Sequence, residues 1–511
     1  MISRNQRITY NSVILYIKLI LSIIIGLYSS RLILQALGNS DFGLYTVVGG
    51  IVTLLNVVGT TMSSVSYRFI SVEIGKGKLG NPNLVYNTIL TIHIITALLI
   101  VVVGLSLGLW YVNNYLNVDA GNISDANYVF IVSILTTACG ILASPSNGLI
   151  IAREKFLFTS LIEIFQLILK LSLLYFILIP YQGNSLRLYA NMMACITIIA
   201  PISYTIYCKV HEPVITRWNL NLNWKNYKEV FSFMGWLLLS TFGFMGVSQG
   251  GTIILNLFFG TLINAGFGIA LQVQNYLLMF PKNIIQAASP QIMKSYSSGD
   301  KEHALSLVYL CTKYCFFTFY LLSVPCLLFI DEILQLWLGT IPPYASIFTS
   351  YLIINAVIGS LTNGLDPLVL AVGKIKLMQI GYLVTNLIQL PIMYVAYYFG
   401  APAYSNTVIL LIMTFISIIY QLYIARIVSD LKIQDYIRHT IRPIIKVILL
   451  TFPLFFLRYY IDNISTYNFV IYIVPTVLWI GGIIFFAGIS YREREFLKTL
   501  TLHYIKKDNR P

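Results

Sequence analysis

The stretch DFGLYTVVGGIVTLLNVV, residues 41–58, is similar in pattern to GFGIALQVQNYLLMFPKN, residues 266–283. Both open with Phe-Gly after one residue and continue as an apolar helix, and both lead to a polar segment, ISVEIGKGK and IMKSYSSGDKE respectively. SPSNGL at 144 and SLTNGL at 360 form a second matching pair. Chance matches arise easily in a chain rich in Ile, Leu and Gly, but these motifs agree in order and spacing. The sequence therefore predicts two related halves, offset by about 225 residues.

The composition excludes an ordinary soluble protein. Apolar residues make up 57% of the 511 residues and charged residues only 10%, whereas soluble domains average about 25% charged residues. The six cysteines and five histidines are dispersed along the chain. Neither a disulfide framework nor a metal site is predicted from them. We expect no cofactor, with H⁺ or Na⁺ as candidate coupling ions.

Fourteen apolar runs are each long enough to cross about 30 Å of hydrocarbon, which takes roughly 20 helical residues. Six runs in each half correspond to one another, and the last two have no counterpart. We predict an all-α integral membrane protein with about 14 transmembrane helices, built as two parallel-repeat six-helix bundles plus two appended C-terminal helices. The runs are 11–30, 42–64, 88–110, 128–151, 157–180, 188–208, 231–258, 262–281, 304–330, 345–371, 377–399, 404–425, 441–461 and 467–490.

The predicted domain organisation has five parts. They are an N-terminal six-helix bundle (1–210), a cytoplasmic amphipathic linker (211–230), a C-terminal six-helix bundle (231–428), transmembrane helices 13 and 14 (429–490), and a basic cytoplasmic tail (491–511).

The distribution of basic residues predicts the orientation in the membrane. The two termini and every second connection between the runs, starting with the connection after the second run, hold 27 of the 33 Lys and Arg residues. Basic loops resist translocation. Both termini are therefore predicted to be cytoplasmic. We interpret the net charge of +14 as a consequence of this orientation and of anionic headgroups, not as a sign of nucleic-acid binding.

Three lysines, Lys18, Lys170 and Lys313, lie inside apolar runs without an acid three or four positions away on the same helix. A charge at the bilayer centre costs about 2.5–3.5 kcal/mol, so such residues tend to face a protein interior or a water-filled cavity. They predict a substrate-binding cavity of net positive charge between the two bundles, suited to an anionic passenger. Snorkelling of Lys18 and Lys170 to the inner surface is the alternative.

Polar residues also form stripes along the apolar helices. Gln272, Asn275 and Asn283 share a face of the eighth helix and are further candidate substrate-binding residues. The alternative is that such amides and hydroxyls bond packed helices to one another.

Asp366 precedes Pro367 in the tenth run. Because proline frees a backbone carbonyl and weakens the helix beside an ionisable group, Asp366 is a candidate ion-coupling residue, and so is Glu163, which shares a helical stripe with Lys170. A cap at an early end of the tenth helix is the other interpretation of Asp366.

Four stretches carry a resemblance to a known family. They are YSSRLILQALGNSDFGLYTVVGGIVTLLNVV, YRFISVEIGKGK, LNLFFGTLINAGFGIALQVQNYL and SPQIMKSYSSGDKE. In these stretches the chain resembles the polysaccharide-export flippases of the MOP exporter superfamily. The closest likeness is to O-antigen and capsule flippases (lipopolysaccharide biosynthesis proteins) of Bacteroides-type bacteria.

This resemblance implies a flippase that moves an undecaprenyl-diphosphate-linked oligosaccharide across the bacterial inner membrane. Its partners would be that lipid-linked sugar, membrane lipids, and a glycan polymerase and ligase as candidates. The sequence departs from the family in one respect, because the arginine-rich cavity of lipid-linked sugar exporters is not reproduced and lysines would have to serve.

The corner between the first two helices contains Arg31, Gly38 and Gly43. The two glycines permit a tight turn, and Arg31 at its mouth could meet a diphosphate or anchor the helix at the headgroups. Two other classes of protein are alternatives. An ion-coupled multidrug or cation antiporter of the same superfamily predicts an acidic cavity, and a membrane glycan polymerase or ligase predicts a large outer loop with catalytic Arg or His. The short outer connections indicate that the protein is not an enzyme.

Overall fold

The computed structural model describes the backbone of residues 4–114, 123–178, 181–219, 223–460, 469–491 and 493–495. Within these ranges the side chains of 4–10, 12, 27, 28, 30, 31, 34–57, 111, 177, 178, 261, 262, 457, 459, 460, 469 and 470 are outside the description.

The described residues form helices and connecting turns, with no β-strand among them, so the prediction of an all-α protein is confirmed. The α-helices are α1 (Arg4–Gly75), α2 (Pro82–Val103), α3 (Leu109–Asn114), α4 (Ile123–Ala152), α5 (Phe156–Leu173), α6 (Ser185–His211), α7 (Pro213–Thr216), α8 (Trp224–Ser297), α9 (Lys301–Leu328), α10 (Ile330–Leu338), α11 (Ala345–Gly359), α12 (Leu365–Val372), α13 (Lys376–Leu387), α14 (Gln389–Tyr398), α15 (Ser405–Val428), α16 (Ile433–Tyr436), α17 (Arg442–Thr451), α18 (Pro453–Tyr460) and α19 (Phe469–Ile483).

Many of these helices are long enough to span a membrane. In the described part of the chain, 11 helical segments are long and apolar enough to cross a membrane, and Val13–Gly26 is a shorter apolar one. Three of the fourteen predicted runs are not among the eleven. Run 11–30 corresponds to the shorter segment Val13–Gly26, and runs 42–64 and 262–281 lie in the second parts of α1 and α8.

The chain divides into two compact units. The N-terminal unit comprises Thr9–Leu238 together with Met293–Gly299, and the C-terminal unit comprises Met1–Ile8, Leu239–Ile292 and Asp300–Pro511. The five-part division of the sequence stays a prediction.

The helices of the two halves begin at corresponding positions. The starts of α2, α5 and α6 at residues 82, 156 and 185 are matched by the starts of α9, α13 and α15 at residues 301, 376 and 405. The differences (301 − 82, 376 − 156 and 405 − 185) are 219, 220 and 220 residues. The ends of the long helices α1 and α8, Gly75 and Ser297, also correspond, with a difference (297 − 75) of 222 residues. The helical framework therefore repeats.

The long helix α8 is interrupted at Gly260, where φ is 76° and ψ is −176°. This backbone conformation has a positive φ, which favours glycine, so a single residue turns the chain between two helical arms. Gly38 stands 222 residues earlier (260 − 38). The turn predicted at Gly38 and Gly43 falls where the side chains are outside the description.

Contacts of α1 show that its two arms are not collinear. Lys18 binds Glu163 of α5, and Ser63 Oγ donates to Ser144 Oγ of α4 at 3.1 Å. In a straight helix Lys18 and Ser63 would be about 68 Å apart. Their partners are joined by a helix end, a three-residue connection and a helix start, about 35 Å of chain at most. The chain therefore bends between Lys18 and Ser63.

The appended C-terminal helices pack against α9. A hydrophobic core joins Phe316, Phe317 and Tyr320 of α9 to Val447 of α17 and Ile480 of α19, all five of them buried. Burying a large apolar side chain contributes about 1.5–3 kcal/mol in a soluble protein, and in lipid the close packing of the same surfaces takes over that role.

Candidate functional site

Lys18 is paired across two helices. Its Nζ lies 2.9 Å from Glu163 Oε2 on α5, with 15% of the lysine side chain and 41% of the glutamate side chain exposed. The glutamate thus meets a lysine of another helix and not Lys170 of its own stripe. This geometry neutralises a charge that the sequence left without an acid.

Lys313 on α9 is also neutralised. Its Nζ donates to Glu493 Oε1 at 2.6 Å, and only 6% of the lysine side chain is exposed. The ammonium lies 5.6 Å from the centre of the Tyr314 ring, which adds a cation–π contact. Glu493 follows α19, so a residue 180 positions away supplies the counter-charge.

The remaining candidate cations differ. Lys170 lies half-buried in the last turn of α5, and among the described residues it has no ion pair. The side chain of Arg31 is outside the description. The expectation of a positive surplus inside the helices is therefore not met by Lys18 and Lys313, since each has an acidic partner. Their roles as substrate-binding residues stay predictions.

Asp366 lies at a break in the helix predicted for 345–371. α11 ends at Gly359, a single 3₁₀ turn covers Ser360–Thr362, and α12 begins at Leu365. Asp366 is in the first turn of α12, where a carboxylate is favoured by the helix dipole, and it accepts a hydrogen bond from Tyr382 Oη. The tenth predicted helix does end early, as one of the two interpretations had it, but Asp366 lies in the first turn of the next helix and the N-cap residue there is Gly364. Ion coupling by Asp366 or Glu163 stays a prediction.

The N-terminal unit contains a cavity of about 390 Å³ between the second arm of α1, α4 and α6. Hydroxyl groups supply its polar lining, and no charged residue is among the lining residues of this described region. The hydroxyls are those of Thr60, Ser63, Ser133, Thr136, Thr137, Ser144 and Thr197.

The C-terminal unit contains a cavity of about 460 Å³ among both arms of α8, α11, α14 and α15 and the segments beside them. Its polar lining consists mainly of amides, with four hydroxyls, and again no charged residue is among the described lining residues. The amides are Gln274, Asn275, Asn355, Asn363, Asn386, Gln389 and Asn406. The two cavities therefore lie on corresponding helices but present different groups.

The three amides predicted on the eighth helix separate in the structure. Asn275 lines the cavity of the C-terminal unit, whereas the exposed Gln272 and the buried Asn283 are not among its lining residues. The neighbouring Gln274 does line it and donates to Leu352 O at 3.0 Å. Sequence reasoning missed Gln389 and Asn406. Asn406 lies between Ser405 and Thr407, and Gln389 follows Asn386 by three residues, so a short polar patch in an apolar run is the signal that the sequence offers.

Comparisons with known proteins identify the fold. No family model matches the chain. It is 21% identical, over 66% of its length and 67% of the relative's, to the uncharacterized membrane protein EpsK of Bacillus subtilis (strain 168).

Solved structures are similar over most of their length. The crystal structure of a MATE point mutant has a TM-score of 0.71 at 12% identity, covering 83% of this chain and 96% of that one. A MOP superfamily transporter from Pyrococcus furiosus gives 0.67 at 13% identity, with coverage of 83% and 96%. The MATE transporter ClbM in complex with Rb⁺ gives 0.67 at 14% identity, with coverage of 85% and 96%. The chain therefore has the fold of the MATE and other MOP-superfamily transporters, a class of multi-pass membrane proteins.

Proposed function

We propose that the protein is a flippase that carries an undecaprenyl-diphosphate-linked oligosaccharide, the repeat unit of an O-antigen, capsule or related surface glycan, across the bacterial inner membrane by alternating access. The observation that carries the proposal is the neutral polar lining of both cavities within a MOP-superfamily fold. Amides and hydroxyls match the hydroxyl-rich surface of a glycan, which needs hydrogen bonds and no counter-charge.

Charge compensation supports this choice of passenger. Lys18 and Lys313 are both held by carboxylates, so the embedded charges stabilise helix contacts before any substrate arrives. A cationic drug would need an acid left over in the lining, because an uncompensated buried charge is costly.

The diphosphate of the substrate needs a cation, and Lys170 and Arg31 are the candidates that we propose for it. The prenyl tail stays in the lipid, and a glycan polymerase and ligase are the partners that would use the exported unit. In this proposal both termini face the cytoplasm, as the basic connections indicate.

The test is deletion of the gene, followed by isolation of inner-membrane lipids and of surface glycan. The flippase should leave prenyl-linked repeat units on the cytoplasmic leaflet and deplete the surface glycan. A strain complemented with the intact gene is the control. Normal surface glycan in the deletion strain would refute the proposal.

The similarity to MATE structures favours a second candidate, an ion-coupled multidrug or cation antiporter. In that case Asp366 and Glu163 would be the acids to bind the coupling ion. The deletion strain should then become more sensitive to cationic drugs while its surface glycan stays normal, so one pair of assays separates the two candidates.

A further inference from the structure

The amide-lined cavity of the C-terminal unit has unused hydrogen-bond acceptors. Asn355 Oδ1 and Asn406 Oδ1 are buried and have no hydrogen-bond partner among the described residues, and both residues line the cavity. Asn406 is 7% exposed as a whole. A buried acceptor without a partner is unfavourable, so its retention in a cavity points to a ligand that donates hydrogen bonds.

Four donor groups of the same lining are engaged with backbone carbonyls. Gln274 Nε2 donates to Leu352 O and Gln389 Nε2 to Thr385 O, each at 3.0 Å. Thr407 Oγ1 donates to Tyr404 O and Ser360 Oγ to Val357 O, each at 2.6 Å. These four groups hold the cavity's own helices, whereas Asn355 Oδ1 and Asn406 Oδ1 stay open, so a ligand that satisfies these two oxygens must bring donors.

The ligand should also be uncharged. The described lining residues include no Asp, Glu, Lys, Arg or His, and an ion without a counter-charge is disfavoured in a membrane interior. The volume of about 460 Å³ lies in the range of about 300–1,000 Å³ typical of small-molecule sites. Apolar walls such as Phe267 and Met393 suit the C–H faces of a sugar ring.

We propose that this cavity binds a neutral sugar residue, whose hydroxyls donate to Asn355 Oδ1 and Asn406 Oδ1. The site lies inside one unit. The inference rests on the proposed function for its physiological ligand, a sugar of the exported oligosaccharide, but binding itself is measurable without transport.

The experiment uses the full-length protein in lipid nanodiscs and saturation-transfer difference NMR. The probes are the methyl glycosides of glucose, galactose, mannose and N-acetylglucosamine, each titrated at millimolar concentration. Asn406→Leu removes one acceptor at similar volume and should weaken binding about tenfold. The matched control is Gln421→Met on the same helix, whose amide bonds to Ser417 outside the cavity and which should bind as the wild type does.

Elution as a single species checks that each variant folds, and Asn355→Ser takes the place of Asn406→Leu if the latter does not. Binding of at least one glycoside that depends on Asn406 or Asn355 supports the proposal. Absence of any such binding overturns it, as does Asn406-dependent stabilisation by NaCl without a sugar effect. If a glycoside binds but the deletion strain has normal surface glycan, the flippase proposal is refuted and the sugar site is retained. If the deletion strain lacks surface glycan but no glycoside binds, the sugar site is refuted and the flippase proposal is retained.

Discussion

The interior of the N-terminal unit is lined by hydroxyls, and that of the C-terminal unit by amides. In the first, Thr136 Oγ1 donates to Val132 O at 2.7 Å and Ser144 Oγ to Gly140 O at 3.2 Å, one turn back on their own helix. In the second, Gln389 Nε2 donates one turn back to Thr385 O and Gln274 Nε2 donates across to Leu352 O of α11, while each amide retains an oxygen, and that of Asn406 has no partner among the described residues. A hydroxyl in the cavity lining can therefore donate its hydrogen to a carbonyl of its own helix, whereas an amide that donates its N–H still has an acceptor oxygen available to a ligand. The amide lining therefore has the greater unused hydrogen-bonding capacity for a ligand.

The embedded ion pairs differ between the units in a similar manner. Lys313 and Glu493 in the C-terminal unit are 6% and 18% exposed, whereas Lys18 and Glu163 in the N-terminal unit are 15% and 41% exposed. The more buried pair should contribute more when broken, since water cannot replace the lost partner. Four substitutions test how far these contrasts hold.

The largest effect is expected for Lys313→Met, which leaves Glu493 without its counter-charge. The free energy of unfolding should fall by about 3 kcal/mol, measured by denaturation in detergent micelles. The double variant Lys313→Met, Glu493→Gln should recover most of this loss. Lys170→Met is the control, and a loss as large as that of Lys313→Met would mean that burial of the pair is not the cause.

Gly148→Ala should come next. A Cβ there would lie 2.7 Å from Ser66 Cβ and 2.8 Å from Tyr67 N, so α4 and α1 would have to separate. We expect a loss of about 2 kcal/mol in the free energy of unfolding. On the same helix, a Cβ at Gly140 would meet nothing within 4 Å, so Gly140→Ala should cause no loss.

For Lys18→Met we expect a loss of only about 1 kcal/mol in the free energy of unfolding, because the partly exposed Glu163 can remain hydrated. The same denaturation measurement applies. If this loss equalled that of Lys313→Met, exposure would not explain the difference between the two pairs.

The smallest effect concerns Asn406→Leu, which removes an unpaired buried acceptor. The free energy of unfolding should stay within about 0.5 kcal/mol of the wild type or rise, although sugar binding falls. Thr136→Val in the other cavity should instead lose stability, because its hydroxyl is bonded. Clear destabilisation by Asn406→Leu would indicate that Asn406 holds helices together.

The fold was largely predictable from the sequence, because membrane helices are marked by their length and hydropathy. The repeat was also visible, since Phe-Gly and Asn-Gly motifs recur in order. An early end of the tenth predicted run (345–371) was one of two interpretations of Asp366-Pro367. The turn at Gly260 was not singled out, because one glycine among 33 carries no mark of its conformation.

The site was less predictable, because its contacts join distant parts of the chain. A search for acids three or four positions away finds partners on the same helix only, and so it overlooked Glu163 for Lys18 and Glu493 for Lys313. Asn406 Oδ1 has no partner because the described residues around it in the folded protein supply no hydrogen-bond donor. No local sequence pattern reveals this. Helical phase did select Asn275, but it could not separate that residue from Gln272.

The pairing of Lys313 with Glu493 also has a consequence for biogenesis. The glutamate is synthesised 180 residues after the lysine, which at about 5–20 residues per second amounts to roughly 9–36 seconds of translation. During that interval the ninth helix must enter the bilayer with its ammonium uncompensated, or wait at the translocon until the last two helices arrive. The C-terminal helices thus complete the insertion of a segment made long before them.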